Sequence, residues 1–197
     1  MVQWDSGARK RAVKGDVMTL AEYQQTPESV LPQELIYGVV CAADAPFVPH
    51  QRVVFQLALA LDEHVDAAQA GEVFVAPVDV VLDRERALVV QPDILFVARE
   101  RSYTVQDRVY GAPDMVVEVL SPNPRIGQLD ERLRWFASAG VREVWLYHQF
   151  AHVLQVLACQ DGRVATTASF EGTTPVRSAV LPGFSRSVST LFRNYIN

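Results

Sequence analysis

Two strongly apolar runs each carry one internal acid: Asp93 in Pro92-Asp93-Ile94-Leu95-Phe96-Val97, and Glu118 in Met115-Val116-Val117-Glu118-Val119-Leu120. A carboxylate in such surroundings is costly to bury unless a partner, a proton or a metal compensates its charge. Acids projecting from neighbouring central strands can hold a hard divalent cation, because Mg2+ takes oxygen ligands and keeps several waters for chemistry. The same two acids can instead cap a helix or pair with an arginine, and such a pair is not a specific signal by itself. Other constellations are weaker. His148 and His152 straddle a predicted turn instead of sharing a helix face, which disfavours a zinc pair. The chain has no Gly-rich phosphate loop and no Gly-x-Ser-x-Gly elbow. Its only lysines are Lys10 and Lys14, so the body of the fold has no lysine to offer as a catalyst.

The elements that must position these acids are legible from periodicity. Thr19-Leu20-Ala21-Glu22 has capping-box spacing and predicts a short helix over 20–25. Residues 34–40 read as a strand with a bend at Gly38. From His50, the helical recurrence of Val54, Leu57, Ala58, Leu61, Val65 and Ala68 predicts the longest helix, with Gly71 as its stop. A strand over 73–82, bent at Pro77, follows. Strands over 89–97 and 114–120 are nearly continuous apolar runs, as expected for central strands covered on both faces. Residues 127–139 read as a helix that ends at Gly140, with Leu129, Leu133, Phe136 and Ala137 on one side. Strands over 141–148, 151–158 and 164–170 complete the set, with Asp161-Gly162 as a turn and a loop and short helix at the end. The aromatics, Trp135 and Trp145 included, are assigned to the core or a subunit interface. The order is mixed α/β (α+β), with strands grouped around two main helices instead of strict βαβ alternation.

A chain of 197 residues, 49% hydrophobic, fits one ordinary domain with a sizeable core. Residues 1–17 read as a basic N-terminal arm and 18–197 as the domain. Arg9, Lys10, Arg11 and Lys14 stand against Asp5 within the first 14 residues, while the whole chain carries a net charge of −5. That balance argues against a broad, non-specific grip on nucleic acid and leaves room for a local basic contact. Cys41 and Cys159 are too few for a disulfide framework and lack metal-ligand spacing, which points to a reduced, cytoplasmic setting. No run approaches the ~20 apolar residues of a membrane helix, and the start lacks the apolar segment of a signal peptide.

The motifs add a further indication. Met18-Thr19-Leu20-Ala21-Glu22-Tyr23, Glu34-Leu35-Ile36-Tyr37-Gly38, Pro49-His50, Val90-Gln91-Pro92-Asp93-Ile94, Gly111-Ala112-Pro113-Asp114, Glu118-Val119-Leu120-Ser121-Pro122, Gly140-Val141-Arg142-Glu143-Val144-Trp145 and Leu181-Pro182-Gly183-Phe184 occur in that order. Through these motifs, over residues 18–192, the sequence resembles a large bacterial family of PD-(D/E)XK nuclease-like proteins, the Uma-type restriction-endonuclease-like family. Each motif is weak alone; order and spacing together are specific. The resemblance implies a restriction-endonuclease-like mixed central β-sheet flanked by helices, with a metal-dependent site that cleaves phosphodiester bonds of DNA. It implies Asp93 and Glu118 as ligands of Mg2+ or Mn2+, and Glu34 and His50 as further members of the site. A homodimer is expected by the same analogy.

Two departures bear on the chemistry. The family usually carries an Asp-x-x-x-Lys pattern in the helix after Ser-Pro, and alignment on Gly140-Val141 puts Gln128 and Arg132 at those positions. Where the family commonly has Trp-x-Val-Asp, this chain has Trp145-Leu146-Tyr147-His148. Helical spacing puts Arg125, Gln128 or Leu129, Arg132 and Phe136 on one stripe, so Arg132 is expected to project toward the acids. A guanidinium there offsets phosphoryl charge but does not readily shuttle a proton. Two readings follow: a metal-dependent nuclease with Arg132 facing the scissile phosphate, or a degenerate nuclease-fold module in which Arg132 neutralises the acids and the protein binds nucleic acid or protein.

Overall fold

The apolar run over 89–97 is two strands that belong to different sheets, and the crossing between them positions the site. The computed structural model describes residues 17–27, 31–42, 45–120 and 129–193. The first half of the chain forms α1 (Leu20–Gln24), β1 (Gln33–Ile36), β2 (Val39–Ala42), α2 (Val48–Ala68), β3 (Gly71–Val75), β4 (Val80–Asp83), β5 (Leu88–Val90) and β6 (Ile94–Ala98). A 3-10 turn at Arg99–Thr104 leads into β7 (Val109–Tyr110), β8 (Met115–Leu120), α3 (Leu129–Ala139), β9 (Glu143–His148), β10 (Val153–Gln160), β11 (Arg163–Phe170) and α4 (Val188–Leu191).

The strands form a six-stranded mixed sheet, β11-β10-β9-β8-β6-β3, and a five-stranded mixed sheet, β2-β1-β5-β4-β7. One central sheet was expected; the second arises because Pro77 and Pro92 each fall where the chain passes from one sheet to the other. A proline lacks the N–H that a continuous ladder needs, so an apolar run broken by one is free to change partners there. Pairing is antiparallel except for β4 with β7 and β8 with β9. The mixed sheets flanked by helices match the predicted class.

Alternation along the central strands divides the core. Ile94, Phe96, Met115, Val117, Val119, Trp145 and Tyr147 pack toward α2, against Val54, Leu57, Leu61 and Val65. Leu95, Val97, Val116, Val144 and Leu146 face the other way, with Phe136 of α3. Glu118 shares strand parity with Val116, and so lies on the α3 side of β8.

The capping box forms as read: Thr19 N–H donates to Glu22 Oε2 at 2.7 Å, and Glu22 N–H donates to Thr19 Oγ1 at 3.3 Å. Helix α2 stops two residues before Gly71, at Gln69, whose left-handed φ of 50° returns its N–H to Asp66 and Val65 carbonyls. Gly71 is required for another reason, since a Cβ there would lie 2.1 Å from the Val97 carbonyl oxygen. The buried face of α2 includes Val53 and Ala60, which the periodicity reading passed over, whereas Ala68 is exposed. Asp161 and Gly162, with φ of 51° and 72°, make the tight turn between β10 and β11. Among the described residues, no helix is long and apolar enough to cross a membrane. Cys41 and Cys159 are half-buried thiols that are not joined in a disulfide.

Candidate active site

The four acidic and imidazole side chains singled out by sequence come from four elements. Glu34 lies on β1 of the smaller sheet, His50 in the first turn of α2, Asp93 between β5 and β6, and Glu118 on β8. Where the chain crosses between sheets at Gln91-Pro92-Asp93, backbone groups leave the ladders and become available to side chains. Gln91 N–H donates to Glu34 Oε1 at 2.9 Å, and Val119 N–H donates to Asp93 Oδ2 at 2.7 Å. Asp93 Oδ2 also lies 3.3 Å from His50 Nε2.

Arg132 ties the cluster together from α3. Its Nε donates to Glu118 Oε1 at 2.6 Å, one terminal nitrogen donates to Glu34 Oε1 at 2.7 Å, and the other donates to the Gln91 carbonyl at 3.3 Å. The residue is 4% exposed, and its guanidinium carbon sits 5.3 Å from the centre of the Phe136 ring. The stripe reading therefore placed Arg132 correctly against the acids; Arg125 and Gln128 lie outside the described residues. Its partners are Glu118 and Glu34, while Asp93 is held by His50 and Val119. Arg132 was expected to face a scissile phosphate, with Glu34 as a further member of the site. In the structure all three guanidinium nitrogens are committed to the protein, and Glu34 Oε1 is shared between Arg132 and Gln91.

The charge balance of this cluster is negative. Glu34, Asp93 and Glu118 carry three formal charges against the one of Arg132, which leaves −2 when His50 is neutral. Burial pushes the Glu118 carboxyl up to about 7; Arg132 pulls it down, while Asp93 and Glu34 add to the rise. Burial works against the Arg132 guanidinium, but the charges and hydrogen bonds of Glu118 and Glu34 outweigh it and hold the group above its ordinary range. Both directions are consistent with a guanidinium that stays charged and a carboxyl that keeps its proton to higher pH than usual.

For His50, burial lowers the imidazole, and the hydrogen bond and charge of Asp93, joined by the charge of Glu118, raise it above 6.5. Because the folded value is raised, stabilisation from the His50–Asp93 pair is fully present below about 6.5 and lost as pH rises through the folded value. An NMR titration of the imidazole should place its midpoint above 6.5, and Asp93→Asn should move it downward. A midpoint unaffected by Asp93→Asn would mean that the contact does not control the imidazole.

Among the described residues, no group of three or more His, Cys, Asp or Glu side chains is arranged as a ready metal site. The oxygens of two acids still suit a hard cation. Asp93 uses Oδ2 and Glu118 uses Oε1 for hydrogen bonds within the described residues, so each keeps a second oxygen outside those bonds. Mg2+ is commonly held by one or two carboxylates plus substrate oxygens and water, which this donor set matches.

Sequence reasoning passed over the supports. Gln91 reaches Asp79 through Nε2 at 2.8 Å, and Asp79 also accepts from Arg108 Nε at 3.0 Å. Among the described residues, Gln91 Oε1 and His50 Nδ1 are buried without a hydrogen-bond partner. The adjacency of Gln91 to Pro92 is the one sequence signal for its role. His148 and His152 have separate partners, Gln155 Oε1 at 2.8 Å and Tyr147 OH at 3.1 Å, as two histidines flanking a turn would.

The fold is α+β, two mixed sheets with acids gathered at a strand crossing beneath a helix. The chain belongs to the Uma2 family, described as "putative restriction endonuclease", whose model matches residues 20–189. It is similar to a crystal structure from Anabaena variabilis ATCC 29413 described as "a putative nuclease belonging to DUF820". That match has a TM-score of 0.74 at 18% identity and covers 89% of this chain and 98% of the other. No curated protein matches the chain significantly.

Proposed function

We propose that the protein is a metal-dependent nuclease that hydrolyses phosphodiester bonds of DNA in the cytoplasm, working as a homodimer. The observation that carries this reading is the pairing of Asp93 and Glu118, each with one oxygen fixed by the protein and one outside those bonds, in a cluster short of positive charge. Asp93 and Glu118 would hold Mg2+ or Mn2+. A cation bound there would supply activation of water and stabilisation of charge on the phosphoryl oxygens. His50 and the Val119 N–H fix the orientation of Asp93. Arg132 fixes that of Glu118 and, through Glu34 and the Gln91 carbonyl, locks the crossing segment that carries Asp93. Arg132 and Glu34 are thus positioning residues in this reading.

Plasmid nicking with Mg2+ or Mn2+ tests it. Asp93→Asn should lower the cleavage rate on the order of 100-fold or more, the size expected when a preorganised charge is removed from a transition state. Equal cleavage by both proteins would assign the activity to another site or to a contaminant.

A second reading rests on Arg132 itself. Its buried contacts with Glu118 and Glu34 give those acids a permanent internal cation, which competes with a metal for the same charge. The protein would then be a nuclease-fold module that binds nucleic acid or protein without cutting. Calorimetric titration separates the readings, since the nuclease reading requires saturable Mn2+ binding that Asp93→Asn weakens.

A further inference from the structure

We propose that the outward face of α2 is the surface on which two copies of this chain associate, antiparallel about a two-fold axis. Large apolar side chains stand exposed in a row on this helix: Val48 at 63%, Phe55 at 64% and Leu59 at 45%, with Phe47 at 65% just ahead of the first turn. Steps of three and four residues align Val48, Arg52, Phe55, Leu59, Asp62 and Asp66 on one side, all exposed. Leu57, Leu61 and Val65 occupy the buried side. Scattered exposed apolar residues are ordinary, but a contiguous row rimmed by charge marks an interaction surface.

The charge order along the row identifies the occupant. Arg52 lies toward the N-terminal end, Phe55 and Leu59 in the middle, and Asp62 and Asp66 toward the C-terminal end. A two-fold axis at the midpoint between Phe55 and Leu59 lays Phe55 of one copy on Leu59 of the other and sets Arg52 opposite Asp62. Both pairings occur twice, once in each half. A parallel arrangement would bring Arg52 onto Arg52 and Asp62 onto Asp62. The row is therefore self-complementary in the sense that an isologous interface requires.

Helix α2 also carries His50, so the pairing fixes the two candidate sites relative to each other. At ~1.5 Å per residue, the two His50 positions lie roughly 20 Å apart along the helix direction. This deepens the dimer within the nuclease reading by naming its surface, but it stands without cleavage.

Sedimentation velocity of the full chain over about 1–100 μM tests the surface. The wild type should sediment at higher concentrations as a species of twice 21.9 kDa. Phe55→Glu, at an exposed position that leaves the circular dichroism unchanged, should weaken association at least ~10-fold. Arg52→Asp should weaken it as well, and Arg52→Asp combined with Asp62→Arg should restore it. A wild type that stays monomeric throughout, or a Phe55→Glu variant that associates as tightly as the wild type, overturns the inference. Plasmid nicking measured on the same preparations keeps the two readings apart: a protein that pairs but does not cut sinks the cleavage reading and leaves this surface, and one that cuts as a monomer sinks this surface and the homodimer with it but leaves the cleavage reading.

Discussion

Arg132→Met should lower the free energy of unfolding by about 3–5 kcal/mol at pH 8, the loss expected when one partner of a buried ion pair is removed. Methionine fills most of the space but leaves Glu118 and Glu34 without their shared donor, and with them the Gln91 carbonyl. The effect has a defined pH dependence. Glu118 in the folded protein titrates near 7, above its ordinary 4.5, so its contribution to stability is fully present below about 4.5 and falls as pH rises toward 7 and beyond. Arg132 offsets part of that fall by favouring the ionised form. Without it the carboxyl takes up its proton at still higher pH, and the destabilisation by Arg132→Met should shrink at pH 5 and grow at pH 8. Guanidinium denaturation followed by circular dichroism at the two pH values measures this. Adding Glu118→Gln to Arg132→Met should recover part of the loss at pH 8, since it removes the stranded charge. A single-variant loss below about 1 kcal/mol at pH 8 would show the network to be energetically neutral, as some buried pairs are.

The same residues show what a sequence discloses. The face of α2 was legible because side-chain direction follows a fixed period along a helix. The capping box at Thr19 and the Asp161-Gly162 turn were legible because both are local in sequence. The crossings between sheets were not, because a strand buried on both faces has no alternation to be interrupted, and one apolar strand reads continuously into the next. Pro77, Pro92 and Pro113 stand at three of them. Glu34 illustrates the other limit. An acid within a short strand has no local feature that pairs it with an arginine 98 positions away, so the Glu34–Arg132 contact follows from the second sheet closing over the crossing segment. Family resemblance drew Glu34 and His50 to the site, whereas the residues themselves drew Asp93 and Glu118.

Glu143→Ala should be about as disruptive as Arg132→Met, with a loss of about 3–5 kcal/mol, although Glu143 plays no part in the proposed chemistry. Hydrogen bonds to charged groups each contribute about 1.5–3 kcal/mol, and a buried donor left without an acceptor adds its own desolvation penalty. Glu143 begins β9, is 1% exposed, and accepts from Trp145 Nε1 at 2.6 Å, Ser178 Oγ at 2.5 Å and Ala179 N–H at 2.9 Å. Those bonds fasten the segment leading to α4 onto the central sheet. Ser178 Oγ in turn accepts from Leu181 N–H at 2.9 Å, and Phe184 follows, packed edge-on against Trp145 with ring centres 5.3 Å apart. Alanine leaves a buried indole N–H and a backbone N–H unpaired at the joint between sheet and tail. Denaturation should therefore show the lower stability, and near-ultraviolet circular dichroism should lose the signal of an ordered Trp145. Glu143→Gln should fall between the two, because an amide oxygen can accept from Trp145 or Ser178 while its NH2 confronts the remaining donor. If Glu143→Ala were as stable as the wild type, the tail would have to be held by the packing of Leu181, Phe184, Val188 and Phe192 alone.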